Sequence, residues 1–174
     1  MRPLLLTLSL ASLSCATAKA GPSAPADITV RLHAGDGHAV GTAVLHQQPE
    51  AVTIRFRLTG LPSGPHGAHV HAVGRCDPPA FTTAGAHLNP MQRKHGHRNP
   101  DGWHLGDVAN IVIGADGTAD TTITVADATL EAGSRSLLGP DGATALVLHE
   151  KADDDMTDPA GNAGARIACG VIQR

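Results

Sequence analysis

Apolar and polar residues alternate along most of the chain, a period of two that is typical of β-strands with one buried face. In the clearest run, 51–58, the apolar positions are Val52, Ile54, Phe56 and Leu58. Similar runs predict further strands at 28–32, 39–46, 67–72, 110–113, 118–125, 143–149 and 166–172. No long segment has the period of a helix. These short strands, separated by turn residues, predict an all-β antiparallel sandwich or barrel.

Two segments interrupt the alternation, at 73–105 and 150–165, and both are rich in Gly, Pro, Asp, Asn and His. Loops of this length are uncommon in compact domains, and those that occur are usually functional or disordered. We therefore expect the chemistry of the protein to lie in these two long loops.

The composition fits one globular domain. The chain has 174 residues, of which 41% are apolar, and its formal net charge is −3. This acidic balance argues against a nucleic acid partner, and no apolar run reaches the ~18 residues that a membrane span requires.

The first twenty residues have the three parts of a secretory signal peptide. Arg2 provides positive charge, 4–13 is apolar, and Ala18-Lys19-Ala20 is a small-residue cleavage site. We predict a signal peptide at 1–20 and an exported mature domain at 21–174. Lipid anchoring through Cys15 is a minor alternative, because lipoprotein signals usually have Leu three residues before the cysteine and Ser12 stands there.

Export also determines the expected state of the cysteines. Cleavage after Ala20 removes Cys15 and leaves Cys76 and Cys169. Disulfides persist in oxidising compartments, so we predict that these two cysteines pair. Two buried free thiols are the alternative.

Histidine is the anomalous residue type, since seven of the eleven histidines lie between His66 and His104. His69 and His71 are two positions apart on a predicted strand, so both rings lie on one face and can converge on one ion. The following loop supplies three imidazoles and one carboxylate, the composition of a closed tetrahedral zinc site: His87, His95, His104 and Asp107.

Six motifs together resemble those of copper/zinc superoxide dismutases of the exported bacterial type. They are Gly67-Ala-His69-Val-His71, Ala84-Gly-Ala-His87-Leu-Asn-Pro90, Lys94-His95-Gly96, His104-Leu-Gly-Asp107, His149-Glu-Lys-Ala-Asp153 and Gly161-Asn-Ala-Gly-Ala-Arg166-Ile-Ala-Cys169-Gly. The resemblance implies a flattened eight-stranded antiparallel Greek-key barrel, an immunoglobulin-like sandwich with two long functional loops.

The resemblance also implies a role for each motif residue. The implied copper ligands are His69, His71, His87 and His149. The implied zinc ligands are His87, His95, His104 and Asp107, so that His87 bridges the two metals. Asp153 matches the carboxylate that accepts hydrogen bonds from one copper ligand and one zinc ligand, and Arg166 matches the basic residue that holds an anion beside copper.

The implied function is superoxide dismutation, with one copper and one zinc per chain as cofactors. Two superoxide anions and two protons become dioxygen and hydrogen peroxide by copper redox cycling, with Arg166 and His87 as catalytic residues. The implied setting is antioxidant defence in the periplasm, by a monomer or a homodimer. Two alternatives are a metal-binding protein without turnover and a structural cell-surface sandwich.

Five residues near the implied ligands depart from the motif or lie outside it. Ala68 and Leu88 stand where the family often has Phe, Ala72 stands where it often has Glu, and none of the three is an implied ligand. His66 and His97 match no ligand position, and we expect both to be solvated loop residues; a third metal site is the alternative.

Overall fold

The computed structural model describes residues 26–174; the expected signal peptide 1–20 and Cys15 lie outside them. The strands are β1 (Ile28–Ala34), β2 (Ala39–Gln48), β3 (Ala51–Leu58), β4 (Gly64–His71), β5 (Asp107–Ile113), β6 (Ala119–Ala126), β7 (Ala143–His149) and β8 (Arg166–Gln173). One turn of 3-10 helix, Thr82–Ala84, lies between β4 and β5, and within 26–174 no helix is long and apolar enough to cross a membrane. All the predicted strands are confirmed, although β4 and β5 each begin three residues earlier than predicted.

The eight strands form one antiparallel sheet in the order β5-β4-β7-β8-β1-β2-β3-β6. The edge strands β5 and β6 also contact each other, which nearly closes the sheet into a barrel. β3 and β4 are consecutive in the chain but not neighbours in the sheet, because β3 pairs with β6 whereas β4 pairs with β5 and β7. This arrangement confirms the predicted Greek-key barrel.

The barrel interior is filled by the apolar positions of the alternating strands. On β3, Ile54 and Phe56 are fully buried while Arg55 and Arg57 are exposed. Burying one such apolar side chain contributes about 1.5–3 kcal/mol. The loop 127–142, which the alternation did not single out, adds the fully buried Leu130 to the same core.

The candidate site lies on the outer face of β4 and β7. Ala68 and Val70 belong to the barrel core, so His69 and His71 between and beyond them lie on the opposite face. These two histidines are nevertheless buried. The outer face of β4 is therefore covered.

A disulfide joins Cys76 in the loop 72–106 to Cys169 on β8, and the two Cα atoms are 5.7 Å apart. The predicted pairing is confirmed and the alternative of two free thiols is wrong. Around the disulfide, Phe81 and Val147 form a second, smaller apolar cluster with Cys169. The bond and this cluster together hold the loop 72–106 against β7 and β8.

Candidate metal centres

Four histidine rings converge on the outer face of the barrel. His69 and His71 come from β4, His149 ends β7, and His87 comes from the loop 72–106. The ring centroid of His87 lies 4.0 Å from that of His69 and 4.9 Å from that of His71. One nitrogen from each of the four rings lies within 4.8 Å of the others.

Backbone pairing explains how His87 reaches β4. Ala72 N–H donates to the Ala86 carbonyl oxygen at 2.8 Å, and Leu88 N–H donates to the Val70 carbonyl oxygen at 2.8 Å. Residues 86–88 therefore run antiparallel beside the end of β4, and His87 is placed opposite His71.

Hydrogen bonds fix the orientation of three of these rings. His71 Nδ1–H donates to the Gly85 carbonyl oxygen at 2.9 Å, and His149 Nδ1–H donates to the Gly164 carbonyl oxygen at 3.2 Å. The ring of His69 is turned the other way, because its Nε2 faces the Asp153 carboxylate at 2.7 Å.

The second nitrogen of each ring is buried and has no hydrogen-bond partner. These atoms are Nδ1 of His69 and Nε2 of His71, His87 and His149. A buried polar atom without a partner is costly, and most such atoms in proteins are paired. Four imidazole nitrogens facing one another form a donor set that suits copper.

Burial keeps three rings of this first centre neutral, those of His71, His87 and His149. It lowers the pKa of His71 to about 2 and that of His149 to about 3. Burial also lowers the pKa of His87 to about 4, although the hydrogen bond to Asp107 acts in the opposite direction. Neutral imidazole is the form that binds a metal ion.

A second centre surrounds Asp107, the first residue of β5. Its Oδ1 lies 2.9 Å from His87 Nδ1, 3.0 Å from His95 Nδ1 and 3.1 Å from His104 Nδ1. The Nδ1 atoms of His87 and His104 are 3.4 Å apart. Ligand atoms of a tetrahedral zinc ion with bonds near 2.0 Å are about 3.3 Å apart. The four residues therefore fit zinc in both donor type and spacing.

The other oxygen of Asp107 anchors the carboxylate. Its Oδ2 accepts hydrogen bonds from the backbone N–H groups of Gly96 and His104, both at 2.9 Å, which leaves Oδ1 facing the ring nitrogens. Burial alone raises the pKa of Asp107, but hydrogen bonds from His104, His87 and His95 hold it well below its usual range. The group is an anion that favours a cation beside it.

His69 also approaches this second centre, since one of its ring nitrogens lies within 4.8 Å of ligand atoms of His87, His95 and Asp107. His104 fits the fourth zinc position better, because its Nδ1 faces Asp107 directly. In His69, Nε2 faces Asp153 and Nδ1 is one of the four partnerless nitrogens.

Asp153 connects the two centres. Its Oδ2 lies 2.7 Å from His69 Nε2 and its Oδ1 lies 3.0 Å from His95 Nε2. Burial acts to raise the pKa of Asp153, but the hydrogen bonds from His69 and His95 outweigh it and hold the pKa well below its usual range. For His95 the signs are reversed: burial acts to lower its pKa, but the hydrogen bonds to Asp107 and Asp153 outweigh it and raise the pKa to about 10. One carboxylate thus orients one ring of each centre.

Arg166, the first residue of β8, lies beside the first centre. Its guanidinium donates to the carbonyl oxygens of Phe81 at 2.7 Å and Gly85 at 2.6 Å. The Gly85 oxygen also accepts the hydrogen bond from His71, so Arg166 and this ring share one acceptor. Burial lowers the pKa of Arg166, which nevertheless remains a cation at neutral pH.

Comparison with known proteins settles the family. A family model described as copper/zinc superoxide dismutase matches residues 39–172, most of the chain. The chain belongs to the copper/zinc superoxide dismutase family. This membership, with the two histidine clusters, confirms the predicted enzyme class, its superoxide substrate and its copper and zinc cofactors.

Several relatives of this superoxide dismutase are similar over most of their length. A copper/zinc superoxide dismutase of Aquifex aeolicus is 43% identical over 79% of this chain and 82% of its own, and one of Caulobacter vibrioides is 42% identical over 83% and 84%. The crystal structure of a SOD-like protein from Bacillus subtilis superimposes with a TM-score of 0.79, at 37% identity over 83% of this chain and 97% of the other. The copper/zinc superoxide dismutase from Brucella abortus gives 0.70 at 28% identity, over 85% and 100%.

One histidine of this superoxide dismutase differs from expectation. The prediction that His66 is a solvated loop residue is wrong, because His66 lies on β4 and is only 3% exposed. Its Nδ1 lies 2.8 Å from the carbonyl oxygen of His149, and its Nε2 lies 2.8 Å from that of Pro62. His97 is exposed as predicted, and its ring stacks on Trp103 with centroids 5.2 Å apart.

Ala68 and Ala72, which stand where the family often has Phe and Glu, differ in how deeply they are buried. Ala68 is fully buried in the barrel core, where it faces away from the metal centres. Ala72 is partly buried at the margin of the same core, and its N–H donates to the Ala86 carbonyl oxygen. Neither Ala68 nor Ala72 is one of the candidate ligands.

Proposed function

We propose that this superoxide dismutase binds copper through His69, His71, His87 and His149, and zinc through His87, His95, His104 and Asp107. The observation that carries the proposal is the set of four buried, partnerless imidazole nitrogens at the first centre. The three Nδ1 atoms around Asp107 Oδ1 support the zinc set.

When bound, copper would exchange single electrons with superoxide, and zinc, which is redox-inert, would supply fixed positive charge. His87 belongs to both sets, with Nδ1 facing Asp107 and Nε2 among the partnerless nitrogens. If His87 held both metals, its ring would have to lose both protons, which the adjacent divalent charges would make possible. When His87 Nε2 is free of metal, it can hold a proton and deliver it to the reduced substrate.

Arg166 attracts and orients the superoxide anion. Two of its N–H donors are held by the Phe81 and Gly85 carbonyl oxygens, so the guanidinium plane is fixed before substrate arrives. A guanidinium has five N–H donors, and those left over can bind a small anion. The surrounding chain is acidic, with a formal charge of −3, so this local positive charge is important for encounter with an anion.

Metal content and turnover test this assignment. We expect about one copper and one zinc per purified mature chain, and superoxide consumption that disappears on chelation and returns with copper. His149→Ala should lose copper and keep zinc, whereas His104→Ala should lose zinc first. Zinc alone, without activity after copper loading, would favour the metal-binding protein without turnover.

We further propose antioxidant defence in the periplasm, by a monomer or homodimer exported through the signal peptide at 1–20. The signal pattern and the disulfide support this setting, since disulfides persist outside the reducing cytoplasm. Expression of the full chain followed by fractionation should yield periplasmic protein that begins at Gly21. Cytoplasmic protein that keeps Met1 would contradict the proposed export.

A further inference from the structure

Two glycines lie close to the Asp153 side chain. A Cβ added to Gly67 would meet Ala163 Cβ at 3.0 Å and would lie 3.4 Å from Asp153 Cβ and His69 Cε1, so it would not overlap the carboxylate. A Cβ added to Gly161 would overlap Asp153 Oδ1 and lie 2.6 Å from His95 Nε2. Gly161 therefore occupies the space directly against the contact between Asp153 and His95.

The loop 153–162 holds Gly161 in this position by local hydrogen bonds. Gly161 N–H donates to the Thr157 carbonyl oxygen at 2.7 Å, and its own carbonyl oxygen accepts from Asp154 N–H at 2.8 Å. The Asp154 carboxylate in turn accepts from Thr157 N–H at 2.8 Å and from Asn162 Nδ2 at 2.9 Å. These bonds hold the backbone of Gly161 against the carboxylate.

The hydrogen bond between Asp153 and His95 orients the His95 ring. A ligand ring is oriented by the hydrogen bond at its far nitrogen, and loss of such a partner typically lowers metal affinity or activity 10–100-fold. Asp153 supplies this partner to His95 through Oδ1 and to His69 through Oδ2. Any group that displaces the carboxylate misorients both rings.

We propose that Gly161 is a positioning residue for both metals, acting through Asp153. The Gly161 backbone packs against the carboxylate. Because glycine has no side chain, Asp153 Oδ1 can keep its contact with His95 Nε2. This inference rests on the proposed roles of His69 as a copper ligand and His95 as a zinc ligand.

A double-mutant cycle on zinc affinity tests this role. Gly161→Ala should weaken zinc binding to the metal-free protein about 10–100-fold, measured by competition with a chelator. In the Asp153→Ala background, the same substitution should cost clearly less than in the parent, because the carboxylate is absent and only the close approach to His95 Nε2 remains. An equal loss in both backgrounds would overturn the proposal.

Gly142→Ala is the matched control. Gly142 has φ of +76, close to the +61 of Gly161, but a Cβ there meets nothing within 4 Å. Both variants carry the strain of a left-handed backbone, and only Gly161→Ala collides with Asp153. Zinc affinity should stay within about twofold of the parent in Gly142→Ala, and a loss equal to that of Gly161→Ala would show that strain alone is responsible.

Proton NMR provides a readout independent of activity. The zinc-loaded protein should show a downfield Nε2–H resonance for His95, which Gly161→Ala shifts or abolishes and Gly142→Ala preserves. An unchanged His95 resonance in Gly161→Ala would overturn the proposal. If Gly161→Ala failed to fold, folding of the double variant with Asp153→Ala would support the proposal, and its failure to fold would overturn it.

His95→Ala separates this inference from the ligand assignment on which it rests. Unchanged zinc affinity in His95→Ala would refute the proposed zinc set. A large loss in His95→Ala, together with an additive cycle for Gly161 and Asp153, would refute only the role of Gly161.

Discussion

Replacing Cys76 and Cys169 by Ala removes the covalent link between the loop 72–106 and β8. The two cysteines are separated by 93 positions. In the chain-entropy model, a crosslink of that length stabilises the folded state by about 4–5 kcal/mol. Cys169 is also 2% exposed and packs with Phe81 and Val147, so the lost sulfur adds a packing cost in the same direction.

Thermal unfolding of the metal-free protein measures this effect without the complication of bound metal. A loss of 1 kcal/mol lowers the Tm of a domain of this size by about 2–4 °C, so we expect Cys76→Ala/Cys169→Ala to unfold roughly 8–20 °C below the parent. The loop residues that hold Arg166 and His71 lie within the crosslinked segment. We therefore expect copper affinity to fall as well.

Chemical reduction is the matched control for this substitution. A reducing agent should lower the Tm of the parent to near that of the double variant and leave the variant unchanged. If the Tm of the double variant were less than about 2 °C below that of the parent, or if reductant left the Tm of the parent unchanged, the reasoning would be refuted. Two titratable thiols in the denatured, unreduced parent would refute the bond itself.

Three further outcomes are expected. Arg166→Glu should lower kcat/KM for superoxide at least about tenfold with both metals retained, because it reverses the charge that attracts the anion; unchanged kinetics would remove Arg166 from the mechanism. Phe56→Ala in the core should lower the free energy of unfolding, measured with urea, by about 3–5 kcal/mol. Val112→Ala, at a side chain that is 68% exposed, should leave it within about 0.5 kcal/mol of the parent value. Free zinc at 1,000 times its Kd should raise the free energy of unfolding of the otherwise metal-free protein by about 4 kcal/mol, and a chelator should reverse this increase.

The strands were predictable because most of them bury one face, so alternation reports directly on the barrel interior. On β4 the same reasoning also placed His69 and His71 on one face. The sequence predicted the ligand groups through spacing and resemblance, and their convergence in the structure depends on pairings between distant segments, such as Leu88 with Val70.

Other features had no local signal. The register of β4 against β5 shifts between His66 and Ala68, and β4 begins with Gly64 and Pro65, a pair that has the composition of a turn. The alternating pattern therefore predicts this strand only from Gly67 onward, which leaves His66 in a predicted loop. The tight packing at Gly161 was equally hidden, because it depends on the side chain of Asp153 in a hydrogen-bonded loop rather than on any pattern along the chain.

The contact between the edge strands β5 and β6 has a consequence for self-association. An open sheet edge, with its unpaired N–H and C=O groups, is a template onto which a strand from another molecule can add. In this barrel the two edges contact each other, so strand addition requires this seam to open first. Asp107 is the first residue of β5. Zinc bound by the proposed set would tie one side of the seam to the loop 72–106. Resistance to fibril growth should therefore increase with the free energy of opening this seam. Loss of zinc should lower that free energy before the barrel as a whole unfolds.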